Sequence, residues 1–320
     1  MIMSTYKTQI DANDVQVFLE HNYQKVDNIR KIVGGESSQA YSFICSEGKR
    51  ILRVNANGDQ GFLKDLLAHQ RFNSMDIPAP AVLAVGEMAK NVHYAVSVQA
   101  EGEMASKLTK QQNIKIQPEL VRMLDHIHSL TPITDGYGEW DAEGKGKYNS
   151  WQDVLLAWLE ENWDETKAAP FYDEGLHDEL RGQIRGLLKF CPEIRTLVHG
   201  DFGLENLMSD GNHITGVIDW EMSMYGDFLY DIAWLDRWGT GHGYYADIFK
   251  EYYKSQNRMP ENYDQRIQCY KLCIALDSLG FYAYSRQPNK YQNIKSALLK
   301  EKRKTQYRYG PGNASIDKKW

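Results

Sequence analysis

No stretch of the 320 residues forms an apolar run near the roughly 20 residues of a membrane span, which argues against a helical membrane protein. The opening MIMSTYKTQIDAND also lacks an apolar signal core, so the expected location is the cytoplasm, with no membrane partner. Cysteine is scarce. Cys45, Cys191, Cys269 and Cys273 are too scattered for a disulfide framework or a zinc site and are expected as buried thiols. Positive charge is not in excess: 37 Lys and Arg face 43 Asp and Glu, for a net charge of −6. That balance argues against a nucleic-acid partner and suits a cationic one. There is no internal repeat or low-complexity tract, and a monomer is expected.

What is present divides into two kinds of pattern. The length exceeds one typical hydrophobic core, so two lobes are expected, 1–100 and 101–320, with a ligand site between them. In the first, AYSFICSEG, KRILRVN, VLAVGEM and HYAVSVQ are short alternating or apolar runs bounded by turn residues and predict an antiparallel sheet. GFLKDLLAHQRFNSM places Phe62, Leu66, Leu67 and Phe72 at helical spacing before IPAP stops it. In the second lobe PELVRMLDHIHSL, WQDVLLAWLEENWDE, HDELRGQIRGLLKF, ADIFKEYYKS and YDQRIQCYKLCIALDSLGFYAYS all carry helical periodicity. Only TLVHG and ITGVIDW predict strands there, and the tail after Tyr309 reads as frayed.

Those two strands bracket LVHGDFGLENLM, in which His199, Asp201 and Asn206 form H-x-D-x-x-x-x-N. This is the spacing of a kinase catalytic loop. Phosphoryl transfer to a hydroxyl needs a carboxylate that accepts the acceptor's proton and an oxygen ligand that helps hold Mg²⁺ on the nucleotide. Asp201 and Asn206 can fill those roles. Asp219 in VIDW follows the next strand, where a hairpin would return it beside Asn206 as a second hard oxygen ligand. Asp also caps turns at strand ends, but the joint spacing of the four residues favours chemistry. His199 is assigned a scaffold role. The His126 and His128 pair lacks the companions of a metal site and is expected to pack.

On the nucleotide side, VGGESSQAYSF runs from paired glycines into a strand, so its backbone and the hydroxyls of Ser37 and Ser38 could approach phosphates. The loop is neither G-x-G-x-x-G nor a P-loop, and a plain turn is the competing reading. Arg53 in ILRVN stands where a kinase carries its phosphate-pairing lysine, and Asp65 in the next helix where the partner glutamate belongs. A long base meeting a short acid preserves the reach, although a surface ion pair is the plainer alternative.

With these residues in view, the chain resembles the aminoglycoside phosphotransferase family through GGESSQAYSF, HGDFGLEN, GVIDW and YGDFLYDIAW. Its closer stretches, SSQAYSF, ILRVN, FLKDLLAHQRF, YNSWQDVLLAW and CPEIRTLVHGDFG, are similar to the hygromycin branch of that family. The resemblance implies an α+β, bilobal, protein-kinase-like fold with a small antiparallel-sheet N-lobe and a larger, mostly helical C-lobe. It implies ATP or GTP as donor, Mg²⁺ as cofactor, Asp201 as base, Asn206 and Asp219 as metal ligands, and Arg53 as a phosphate contact. It also implies SVQA, with Val98, as the adenine-side hinge, and Asp227 and Asp231 as braces of the catalytic segment. Beyond Asp227 the sequence departs from the hygromycin branch.

A cationic aminocyclitol acceptor calls for carboxylates and aromatic walls. Glu221 and Asp236, near Trp238, follow Asp219 closely and are the candidates; Trp151 is added by the resemblance alone. The acids of WLEENWDE read better as a solvated helix face. Kinases of macrolides, choline, homoserine or ketosamines would share the catalytic segment, and a non-catalytic pseudokinase is the remaining alternative. No A-P-E ending follows Asp219, which argues against a protein kinase.

Overall fold

The computed structural model describes residues 10–33, 38–56, 58–73, 76–132, 134–141, 143–160, 164–239 and 244–309, without the side chains of 164, 165 and 301–309. In the N-terminal region β1 (Asp27–Ile32), β2 (Gln39–Cys45), β3 (Gly48–Asn55), β4 (Val82–Ala89) and β5 (Val92–Val98) pair in the order β1-β2-β3-β5-β4, every pair antiparallel. Alternation sets the faces. Tyr41, Phe43 and Cys45 of β2 and Leu52 and Val54 of β3 lie in one cluster with Val15 and Leu19 of α1 (Ala12–Asn22). Each such side chain, fully buried, contributes about 1.5–3 kcal/mol. Arg53, between Leu52 and Val54, has the opposite orientation and lies 5.1 Å from the Phe62 ring of α2 (Gln60–Phe72).

The expected sheet and α2 are present, but β1 and α1 are additions. DNIRKI leaves most of its side chains exposed and shows no apolar alternation, as an edge strand can. Helix α1 buries only Val15 and Leu19, spaced i, i+4, and its start is fixed by Asp11, whose carboxylate accepts the Asn13 N–H at 2.8 Å.

The remainder is mainly helical: α3 (Lys110–Ser129), α4 (Trp151–Glu160), α5 (Asp164–Lys167), α6 (Glu174–Leu187), α7 (Leu229–Trp238), α8 (Tyr245–Ser255), α9 (Tyr263–Tyr284) and α10 (Pro288–Tyr309). Helix α3 begins well before Pro118, at a capping box of Thr109 and Gln112, and continues through the proline. The expectation of only two strands in this region is corrected. β6 (Glu103–Met104), β10 (Leu207–Ser209) and β11 (Ile214–Val217) form one small sheet, and β7 (Tyr137–Trp140), β8 (Gly146–Tyr148), β9 (Thr196–Val198) and β12 (Met224–Gly226) another. Strands of two to four residues are too short to show a period of two, and their pairing is with segments distant in sequence.

The chain divides into two compact units, Met1–Ala157 with Leu187–Lys271, and Trp158–Gly186 with Leu272–Trp320. The boundary expected at residue 100 falls inside the first, which carries the three sheets. In the second, His177 of α6 lies between the rings of Tyr172 and Tyr291, at centroid distances of 4.4 and 6.2 Å. Asp173 there accepts a hydrogen bond from Lys295 at 2.7 Å. No helix among the described residues is long and apolar enough to cross a membrane.

Candidate active site

Strand β9 ends at Val198 and delivers a loop whose shape is set by its own hydrogen bonds. Gly203 N–H donates to the Asp201 carbonyl at 2.8 Å, and Asn206 N–H to the Gly203 carbonyl at 3.0 Å. The Asn206 amide nitrogen donates to both the Asp201 carbonyl, at 2.9 Å, and its carboxylate, at 2.8 Å. Asn206 therefore orients Asp201 and leaves its own amide oxygen for another partner. Gly200 sits at φ +82, where an added Cβ would collide with the Met222 carbonyl, so this position requires glycine.

The β10–β11 hairpin then brings the chain back. Leu207 pairs with Val217, and Ile218 N–H donates to the Asn206 carbonyl at 3.0 Å, so Asp219 emerges beside Asn206 as its spacing predicts. Asp219 adopts φ +65, a left-handed conformation that Asp tolerates better than most residues. The next residue, Trp220, donates its N–H to Asp65 at 2.8 Å. Asp65 also accepts from Arg53, whose other guanidinium nitrogen lies 3.8 Å from the Asp219 carboxylate. Arg53, half-buried, and Asp65, buried, are thus a pair joined to the turn at Asp219, not the surface pair of the plainer reading.

Charge is concentrated here. Burial, then the nearby Asp219 carboxylate, pushes Asp201 up to about 8 against hydrogen bonding from Asn206 and Trp234. Burial raises Asp219 as well, opposed by Arg53. Glu221 is pushed up to about 7 by burial and then by Asp219. A cluster of hard oxygen donors short of positive charge suits a divalent cation. Among the described residues no three His, Cys, Asp or Glu side chains converge into a metal cage.

The supporting residues are deeply buried. His199 is fully buried, its ring contacts the Ile218 carbonyl at 3.1 Å, and burial lowers its pKa. Asp231 of α7 accepts the backbone N–H groups of His199 and Gly200, both at 2.8 Å, and meets His128 of α3 at 2.9 Å. Asp227 accepts from the Arg266 Nε at 2.8 Å and Nη2 at 2.5 Å, and from the Tyr270 hydroxyl.

Residues 28–265 match the profile of the phosphotransferase enzyme family. The chain belongs to this family. It is 30% identical over 281 residues to hygromycin-B 4-O-kinase of Escherichia coli, covering 85% of this chain and 80% of that protein. Its fold superposes on the crystal structure of aminoglycoside phosphotransferase APH(4)-Ia with a TM-score of 0.78 at 26% identity, over 89% of this chain and 96% of that one. A thermostable mutant of APH(4)-Ia, in ternary complex with AMP-PNP and hygromycin B, matches with a TM-score of 0.78 at 27% identity, over 90% and 99% of the two chains. The antiparallel N-terminal sheet and mainly helical C-terminal region are thus those of a protein-kinase-like phosphotransferase.

Against this phosphotransferase frame the remaining predicted residues separate. Val98 ends β5, half-buried, with its N–H donating to Ala81 at 2.8 Å. Ser38 directly precedes β2, whereas Ser37 lies outside the described residues. Glu221 follows Asp219 and is half-buried, and Trp238 lies 6.2 Å from Trp234. Asp236 is engaged elsewhere: it accepts the Ala246 N–H at 2.9 Å and the Lys271 ammonium at 2.9 Å, tying α7 to α8 and α9. Trp151 is 0% exposed and donates its indole N–H to Tyr270 at 3.0 Å, so it offers no face to an acceptor. Of the WLEENWDE acids, Glu160 is exposed, and the side chains of Glu161, Asp164 and Glu165 lie outside the described set.

Two residues near the chemistry were not among the predicted ones. Trp234 interacts with Asp201, a contact that its place one helical turn from Asp231 could have suggested. Lys64, a lysine in a charged stretch of α2, gave no sign in the sequence of being buried.

Proposed function

We propose that this phosphotransferase is an antibiotic kinase, moving the γ-phosphate of ATP or GTP to a hydroxyl of an aminoglycoside or aminocyclitol such as hygromycin B. The observation that carries this reading is Asp201 held by Asn206 at 2.8 Å, with Asp219 returned beside them by the β10–β11 hairpin. The 30% identity to hygromycin-B 4-O-kinase supports the acceptor class.

In this reading Asp201 orients the acceptor hydroxyl and takes its proton as the new phosphorus–oxygen bond forms. Arg53, steadied by Asp65, contacts the phosphates, with Ser37 and Ser38 as further donors and Val98 on the adenine side. Asn206 and Asp219 would hold Mg²⁺, which when bound offsets phosphate charge. Glu221 and Trp238 face the cationic acceptor, whereas Asp236 ties α7 to α8 and α9 and Trp151 packs in the core. Asp227 and Asp231 brace the loop. The enzyme acts as a cytoplasmic monomer.

The test is a panel of hygromycin B, other aminoglycosides, a macrolide, choline, homoserine and a ketosamine, incubated with ATP or GTP and read by mass spectrometry. Phosphorylated hygromycin B or another aminoglycoside is the expected product. Phosphorylation confined to a non-antibiotic, or transfer to nothing, overturns the reading.

A further inference from the structure

Lys64 is a buried ammonium with no role in the site as described so far. Its residue exposure is 4%, and it lies 5.0 Å from the Trp140 ring centroid. The Nζ donates to the backbone carbonyls of Glu221 and, at 2.9 Å, Ser223. Burial lowers its pKa, while Glu139, Glu221 and Asp65 oppose the shift. The adjacent Asp65 accepts the Trp220 N–H at 2.8 Å. Two consecutive residues of α2 therefore grip the same short turn, one through an N–H and the other through two carbonyls. The turn is closed internally as well, since Ser223 N–H donates to the Trp220 carbonyl at 2.9 Å. Its first residue is Asp219, at φ +65, a conformation held by its surroundings more than by its own preference. Packing alone would be served by Met or Leu at lower desolvation cost than an ammonium.

We infer that Lys64 is a positioning residue for phosphoryl transfer, its ammonium fixing the turn that carries Asp219 so that Asn206 and Asp219 together hold Mg²⁺ with nucleotide. The inference rests on the kinase reading above and concerns only the metal side of the site. The same turn carries Glu221, so removal of Lys64 disturbs the acceptor side as well, and the Mg²⁺ dependence of nucleotide binding is the readout that isolates its positioning role.

The experiment uses the full chain with Lys64→Met, which keeps the stem and loses the donors, and Lys64→Arg, which keeps the charge on a planar head that cannot copy the compact ammonium. Folding is checked by circular dichroism. AMP-PNP affinity is then measured by calorimetry with EDTA and across a Mg²⁺ titration, alongside kcat and the acceptor KM. Lys64→Met is expected to raise the Mg²⁺ concentration for half-maximal nucleotide binding, and to lower kcat, by about 10- to 100-fold, the usual cost of losing a residue that orients a metal ligand. Metal-free AMP-PNP affinity stays within about threefold of wild type, and Lys64→Arg falls between wild type and Lys64→Met. If Lys64→Met does not fold, Lys64→Arg is read alone by the same criteria. A folded variant with wild-type Mg²⁺ dependence overturns the inference, as does an equal loss of metal-free and Mg²⁺-dependent AMP-PNP affinity. Failure of the wild type to bind AMP-PNP with Mg²⁺ would instead sink the kinase reading, so the two failures are distinguishable.

Discussion

Replacing Arg266 by Met should be among the most damaging single changes remote from the chemistry. Arg266 is 1% exposed and Asp227 is 0% exposed. The guanidinium gives Asp227 two charge-assisted hydrogen bonds, at 2.8 and 2.5 Å, and a third to the Glu261 carbonyl at 2.9 Å. Methionine fills much of the same volume but leaves the Asp227 carboxylate, among the described residues, with the Tyr270 hydroxyl and the Leu229 N–H. Breaking one partner of a buried ion pair costs about 3–5 kcal/mol, because the other charge stays buried and uncompensated. Against a total stability of about 5–15 kcal/mol this is a large fraction. The assay is urea unfolding by circular dichroism, as a double-mutant cycle with Asp227→Asn. Asp227→Asn in the Arg266→Met background should recover about 1 kcal/mol or more by removing the stranded charge. A loss below about 1 kcal/mol for Arg266→Met, or strictly additive effects of the two changes, would refute this account.

Two further outcomes follow from buried polar groups. His177 has its pKa lowered to about 4, chiefly by burial, and its Nε2 has no hydrogen-bond partner among the described residues. The folded state keeps it neutral while the unfolded chain protonates near the ordinary value of about 6.5, so stability is full above that pH and falls as pH drops toward 4. The loss reaches about 3 kcal/mol, and His177→Phe should flatten the urea midpoint over this window; equal slopes in both proteins would contradict it. Asp231→Asn turns an amide toward the backbone donors of His199 and Gly200, and should cost about 3 kcal/mol and speed amide exchange at those two residues. Unchanged exchange would show that Asp231 does not brace the loop.

The catalytic spacing could be read from sequence because it depends on short-range geometry. Asn206 and Asp219 are joined by one hairpin, and a hairpin's register follows from its strands and turn. The Arg53 and Asp65 pairing was legible because β3 and α2 are consecutive and the reach of the two side chains fixes their partners. What escaped the sequence depends on contacts between remote segments. Asp231 meets His128 from a position 103 residues away, and no local pattern marks either as the other's partner. Trp151, an aromatic at a helix start, could equally line a pocket or fill a core; the Tyr270 hydroxyl that fixes it inside belongs to α9. Asp236 follows Asp219 closely in sequence, yet α7 turns its carboxylate toward α8 and Lys271. Lys64 is the inverse case: a charged residue that composition assigns to the surface is buried with two carbonyls of the Asp219 turn accepting its hydrogen bonds.

In the proposed reaction Asp201 activates an aminoglycoside hydroxyl for phosphorylation. The most direct test incubates wild type and Asp201→Asn with hygromycin B, ATP and Mg²⁺ and follows the antibiotic's mass over time. Wild type should add one phosphoryl group, and Asp201→Asn should slow this by about 10²- to 10⁴-fold while binding nucleotide as before. Phosphorylation by Asp201→Asn at the wild-type rate would contradict the account.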